Sequence, residues 1–199
     1  LKISNAGDIS IIDKSNGRQY KNLNTFIDES DTGNGWFYES AAINSPSIVS
    51  SGGYVEVINN GPLVNSYRIT KEMIVPAKSD AINQNRSSER ISMNISTIVT
   101  LKAHSKTVEF STTVNNTPKD HRVRVIFPTQ IQGDDYLASQ AFCFINRKRG
   151  ISAEGANYRE PESYEKNTSG IISISDNENK FSFIGREGLH EAGVYPDGT

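Results

Sequence analysis

The grouped acids of this chain are the first residues to weigh, because glycoside hydrolysis runs on a pair of carboxylates. Three groups stand out: Asp28, Glu29 and Asp31; Asp134 and Asp135; and Glu160, Glu162 and Glu165. Each falls in polar, turn-like sequence. A solvated carboxylate makes a poor general acid, so all three groups read as loop solubility. His104, His121 and His190 lie far apart, with no His-x-x-x-His or His-x-Asp spacing. A zinc site needs three or four convergent ligands, and no local ligand spacing announces one. His104 sits in a hairpin turn, His121 at a strand start and His190 in a loop. Cys143 lies in Ala-Phe-Cys-Phe-Ile, an apolar run, and reads as a buried small hydrophobe rather than a nucleophile. There is no Gly-x-Ser-x-Gly elbow and no phosphate-binding glycine loop. The Asp28–Gly35 stretch has oxygen ligands and glycines but lacks the spacing and terminal glutamate of an EF-hand.

One loop offers binding chemistry. Asp31-Thr-Gly-Asn-Gly-Trp-Phe-Tyr38 places the chain's single tryptophan, Trp36, directly after a glycine-rich bend, with Tyr38 two residues on. Glycines permit sharp turns and close approach. Aromatic faces stack on the apolar C–H faces of sugars, so Trp36 and Tyr38 are candidates for substrate contact, with Asp31 opening the loop. A core aromatic or a domain-interface plug fits the same pattern.

The elements that must carry these residues are strands. Ile91, Met93, Ile95, Thr97, Val99 and Leu101 fall on one face of an extended segment and mostly polar residues on the other. A helix would scatter that set around its surface. Val108, Phe110, Thr112 and Val114 repeat the pattern after His104-Ser105-Lys106, which predicts a hairpin. Val123, Val125 and Phe127 form a further strand that Pro128 ends. Ile9–Asp13 and Tyr20–Phe26 flank the turn dipeptide Asn16-Gly17. Tyr54–Ile58 and Leu63–Val75 flank Asn59-Asn60-Gly61-Pro62; Gly170–Ser175 and Phe181–Ile184 flank Asp176–Asn179. Asp28–Ser51, Ala77–Ser88 and Asn146–Thr168 read as loops. Many strands and short turns predict an all-β fold, a large antiparallel sandwich filling residues 1–199 as a single domain.

The totals exclude several classes of partner. With 21 basic and 23 acidic residues and a net charge of −2, the chain has no electrostatic footprint for nucleic acid or an anionic membrane. Its apolar runs are too short for a helix to span a bilayer. One cysteine allows no intrachain disulfide, which favours the cytoplasm over secretion. The sequons at Asn85, Asn94, Asn115 and Asn167 are discounted, since Asn94 falls inside a strand and no secretion signal supports glycosylation. The chain opens at Leu1 in strand-like sequence, as a piece excised from a longer protein would.

Several motifs, in order, resemble the β-sandwich region that follows the catalytic domain in family 38 glycoside hydrolases, the α-mannosidases. Gly7-Asp-Ile-Ser-Ile-Ile-Asp-Lys-Ser-Asn-Gly-Arg-Gln-Tyr20 is similar to that region's opening strand and Asp-Lys-x-x-Gly turn. Tyr20 to Gly33 is similar to its Asn-Leu and Asp-x-Gly segment. Asn60-Gly-Pro-Leu-Val64 resembles an Asn-Gly-Pro turn, and Leu101 to Val114 a Leu-Tyr-Lys-Gly-Ser-Lys-x-Val-Asp-Phe hairpin, with His104 where the family has glycine. Asn115 to Thr129 resembles a run of Asp-His-Arg-Leu-Arg-Val-Leu-Phe-Pro-Thr. Arg186 to Val194 resembles an Asn-x-Gly-Leu-x-Glu-Tyr segment, with Ala192 in place of tyrosine.

The resemblance implies a supersandwich of the galactose-mutarotase type and a parent enzyme that hydrolyses α-mannosides with retention. It implies a zinc ion, an aspartate nucleophile and an acid/base aspartate, all in an upstream domain, with no cofactor in this chain. It implies that the aromatic after the Asp-x-Gly loop, Trp36 or Tyr38, faces the sugar site. The partners are then a mannoside and the upstream domain of the same chain, with a homo-oligomer compatible. An autonomous carbohydrate-binding module with Trp36 as its platform is the alternative, and an adhesion or oligomerisation domain a third.

Overall fold

The computed structural model describes residues 1–33, 38–40, 45–152, 154, 157–158, 162–185 and 191–199. Among these there is no α-helix; every extended element is a strand and every pairing is antiparallel. The all-β expectation holds. The chain forms two compact units, Leu1–Phe127 and Pro128–Thr199.

The first unit carries β1 (Lys2–Ile3), β2 (Ile9–Ile12), β3 (Gln19–Leu23), β4 (Thr25–Ser30), β5 (Ile48–Val49), β6 (Tyr54–Asn60), β7 (Val64–Pro76), β8 (Ser79–Asp80), β9 (Asn85–Arg86), β10 (Arg90–Lys102), β11 (Val108–Val114) and β12 (His121–Ile126). Its main sheet has the order β11-β10-β7-β6. The alternation read in β10 is the buried face: Met93, Ile95, Thr97 and Val99 are all sealed from solvent. Opposite lies a three-stranded sheet, β12-β4-β5. Phe26 of β4 packs with Met73 and Val75 of β7 and Met93 and Ile95 of β10, and Ile48, Val123 and Val125 close around them. Two sheets facing across one apolar layer are a β-sandwich.

The turns obey local chemistry. His104, at the β10–β11 turn, has φ +61°. Glycine occupies such left-handed positions most readily. Asn22 and Asn24 also have positive φ, a region asparagine tolerates better than other side chains. Asn24 is buried and donates to the Thr97 hydroxyl at 3.2 Å.

Several expected loops contain strands. Asp28–Ser51 begins inside β4 and includes β5; Ala77–Ser88 holds the β8–β9 hairpin; Asn146–Thr168 starts in β14 and contains β15. Their polar composition hid them, since short strands rich in Ser, Asp and Asn show no apolar alternation.

The second unit carries β13 (Asp135–Ser139), β14 (Phe144–Lys148), β15 (Glu165–Asn167), β16 (Ile171–Ser175), β17 (Lys180–Ile184) and β18 (Glu191–Gly193), with the sheet order β14-β13-β16-β17 and a separate β15-β18 pair. Cys143 is exposed, contrary to the sequence reading. The apolar run around it straddles the β13–β14 turn, where the Gln140 N–H donates to the Cys143 carbonyl at 2.7 Å. A turn lifts apolar residues into solvent whatever their neighbours.

Gly170 and Gly185 bracket the β16–β17 hairpin, and the Gly185 N–H donates to the Gly170 carbonyl at 2.6 Å. Gly170 has φ +98°, and a Cβ there would collide with the Gly185 carbonyl oxygen. Gly170→Ala is expected to cost at least about 1–3 kcal/mol, the strain of a disfavoured backbone conformation. A thermal melt checks it: an unchanged midpoint would show that the hairpin relaxes freely.

Candidate functional site

The aromatic loop leaves the end of β4, so β4 and its neighbour β12 decide where it starts. They pair in register, with Phe26 opposite Val125, Asp28 opposite Val123 and Ser30 opposite His121. Side chains alternate along a strand, so this set shares the inner face, while Glu29, Arg122 and Arg124 share the outer one.

On the inner face the acid read as a solvated loop residue is fully sealed. Asp28 has 0% side-chain exposure and lies between two cationic or polar groups, both 2% exposed. Its Oδ1 is 2.5 Å from His121 Nδ1, and its Oδ2 is 2.6 Å from Arg86 Nη2. A carboxylate oxygen accepts, so His121 Nδ1 carries the donated proton. The other ring nitrogen, Nε2, lies 2.7 Å from Asn116 Oδ1. Arg86 comes from β9; its Nε and Nη1 have no hydrogen-bond partner among the described residues. Asp28 is therefore the countercharge that makes a buried guanidinium tolerable. It is closed to any substrate and cannot deliver a proton to one.

On the outer face Glu29 is gripped by two arginines. Arg124 makes a two-point contact, Nη2 to Oε1 at 2.7 Å and Nε to Oε2 at 2.9 Å; Arg122 Nε donates to Oε2 at 3.1 Å. Glu29 thus corrects the sequence reading too, being a partly buried ion-pair residue.

The loop itself is tied at its neck. The Asp31 N–H donates to the Asp120 carbonyl at 3.1 Å, and Thr32 N–H to the Glu39 carbonyl at 2.8 Å. Asp31 Oδ1 accepts from Gly33 N–H at 3.0 Å and Glu39 N–H at 3.3 Å. Tyr38, on the returning arm, lies under the Arg122 guanidinium, whose carbon is 3.4 Å from the ring centroid. Trp36 lies outside the described residues, as do Glu160 and His190. Of the three candidate binding residues, Asp31 and Tyr38 are brought together at one neck.

The Asp28–Arg86–His121–Asn116 cluster was missed in the sequence. The available signal was the period-two series Phe26, Asp28, Ser30: an acid at an inward strand position needs a buried cation.

The second unit has a groove of about 480 Å³ lined by Asp134, Asp135, Asn146, Lys148 and Lys180 among others. Lys148 Nζ is 2.7 Å from Asp135, which raises the lysine pKa above its ordinary value through that hydrogen bond and the charge behind it.

The described residues make an all-β chain whose candidate loop is tied to the β4–β12 pair. The chain belongs to the family of the glycosyl hydrolases family 38 C-terminal domain, whose model matches residues 1–188. It is similar to a putative mannosylglycerate hydrolase of Halalkalibacterium halodurans, 23% identical over 215 residues, covering 99% of this chain and 23% of that protein. Among solved structures it is similar to an alpha-mannosidase from Enterococcus faecalis V583, with TM-score 0.88, 27% identity and coverage of 99% of this chain and 23% of that one. It is also similar to a family 38 glycosyl hydrolase from Enterococcus faecalis, with TM-score 0.85, 26% identity and coverage of 99% and 24%. The chain spans about a quarter of the length of these relatives.

Proposed function

We propose that this chain is the non-catalytic β region of an α-mannosidase, supporting an upstream catalytic domain and lending that domain's sugar site a wall. The 31–38 loop, with Trp36 and Tyr38 as its aromatics and Asp31 tying its neck, is the part that would face the mannoside. The carrying observation is that neck: Asp31, Thr32, Glu39 and Tyr38 fix both arms, so the loop leaves a rigid sheet at a defined place.

The resemblance implies a zinc ion in the upstream domain. Among the described residues no three His, Cys, Asp or Glu side chains converge on one point. The metal, the nucleophile and the acid/base would come from the upstream domain. The single cysteine is consistent with a cytoplasmic parent. Among the described residues no helix is long and apolar enough to cross a membrane.

The reading is tested with the 199-residue chain alone. It is expected not to hydrolyse an aryl α-mannoside, with or without added zinc. Turnover that co-purifies with the chain through successive columns would overturn the assignment. Mannose is expected to bind the chain weakly or not at all, since one wall is not a pocket.

A further inference from the structure

Three successive residues at the start of β12 hold one short stretch of chain from three directions. The Asp120 carbonyl accepts the Asp31 N–H at 3.1 Å. The His121 ring meets Asp28 at 2.5 Å on the inner face. Arg122, on the outer face, donates to Glu29 at 3.1 Å and lies over Tyr38 at 3.4 Å. Residues 28–31 of the outgoing arm are therefore held by all three, and Tyr38 on the returning arm by Arg122 alone of the three.

Arg122 is the informative member. Glu29 is already met by Arg124 at two points, 2.7 and 2.9 Å, so a second arginine is not needed to neutralise it. The backbone pairing of Arg122 with Glu29 asks nothing of its side chain. Arg122 also meets Tyr38, a residue 37% exposed whose ring lies against this guanidinium. A planar guanidinium stacks on an aromatic face as an ammonium cannot.

We propose that Arg122 is a positioning residue: by stacking on Tyr38 it fixes the returning arm of the aromatic loop before any sugar arrives. The functional consequence rests on the loop being a sugar-facing wall; the stacking does not. Glu29 accepts from Arg122 Nε, so the arm is held by a side chain that is itself held. A wall set in advance spares the substrate the cost of ordering it.

Trp36 is the only tryptophan of the chain and lies two residues before Tyr38, so it serves as a built-in reporter. Acrylamide quenching of its fluorescence would be compared in the 199-residue chain, Arg122→Gln, Arg122→Lys and Tyr38→Leu. A contact of this kind shifts a local equilibrium by about two- to fivefold. The quenching constant is expected to rise by about that factor in all three variants, the lysine included, because lysine restores charge but not stacking. An unchanged constant in folded Arg122→Gln and Tyr38→Leu would overturn the proposal. Tyr38→Leu leaves β12 untouched, so it decides the matter if Arg122→Gln fails to fold. In the full-length enzyme Arg122→Gln is expected to raise KM with a smaller change in kcat. If Trp36→Ala leaves that enzyme's kinetics intact, the wall reading fails, while the quenching result still decides the role of Arg122.

Discussion

Asp28→Ala lowers the thermal midpoint of the chain by roughly 10 °C: that is the expected result, and the largest stability effect the structure implies. The reasoning begins with exposure. Asp28 is 0% exposed and its partners Arg86 and His121 are 2% exposed, so none can turn to water when the pair is broken. Removing one partner of a buried ion pair costs about 3–5 kcal/mol, because the other charge is left uncompensated. In a chain of this length each kcal/mol moves the midpoint by about 2–4 °C. Arg86 has no other partner among the described residues at Nε or Nη1, which places the cost at the upper end. The double variant Asp28→Leu/Arg86→Met is expected to recover part of the loss by removing both charges. Calorimetry of the unchanged chain and these two variants checks this, and a fall of only a degree or two for Asp28→Ala would mean that water reaches Arg86.

Trp36→Ala is expected to act on the opposite quantity. In the full-length enzyme it should reduce kcat/KM by about a hundredfold, the scale of losing substrate placement by an ångström or so. An indole transfers no proton, so its contribution is binding and orientation. Thermal stability should stay nearly level, because Asp31, Arg122 and the Thr32–Glu39 bond hold the neck without it. Steady-state kinetics and a melt on the same preparation separate the cases. Normal kinetics with a much lower midpoint would make Trp36 a packing residue and the loop a docking element.

The strands were legible wherever one face is apolar. In β10 the alternation from Ile91 to Leu101 reads directly as a buried face, and in β16 the Gly170 boundary was visible too. β4 was not legible beyond Phe26, because Asp28-Glu29-Ser30-Asp31 looks like a solvated turn. An acid becomes a strand residue here only through the Arg86 guanidinium from β9 and the His121 ring from β12, and no local pattern predicts such remote partners. The same limit hid Glu29 and its arginines. Cys143 failed for a different reason: hydrophobicity reports what a side chain prefers, whereas a turn fixes where it goes. For the candidate site, the glycine-rich bend pointed to the loop, but its anchoring through Asp120 and Arg122 lies in a separate segment and needs the register of β4 on β12 to be seen.

That register also orders events during synthesis. Asp28 and His121 are 93 residues apart, so at about 5–20 residues per second β4 leaves the ribosome roughly 5–20 s before its partner exists. Meanwhile β6, β7, β10 and β11 emerge in the order in which they pair, with only the small β8–β9 hairpin between them. The main sheet can thus complete itself as a local unit while the nascent β4, with its acid still hydrated, has only the short β5 beside it. The arrival of Asp120-His121-Arg122 then supplies together the partners of Asp31, Asp28 and Glu29.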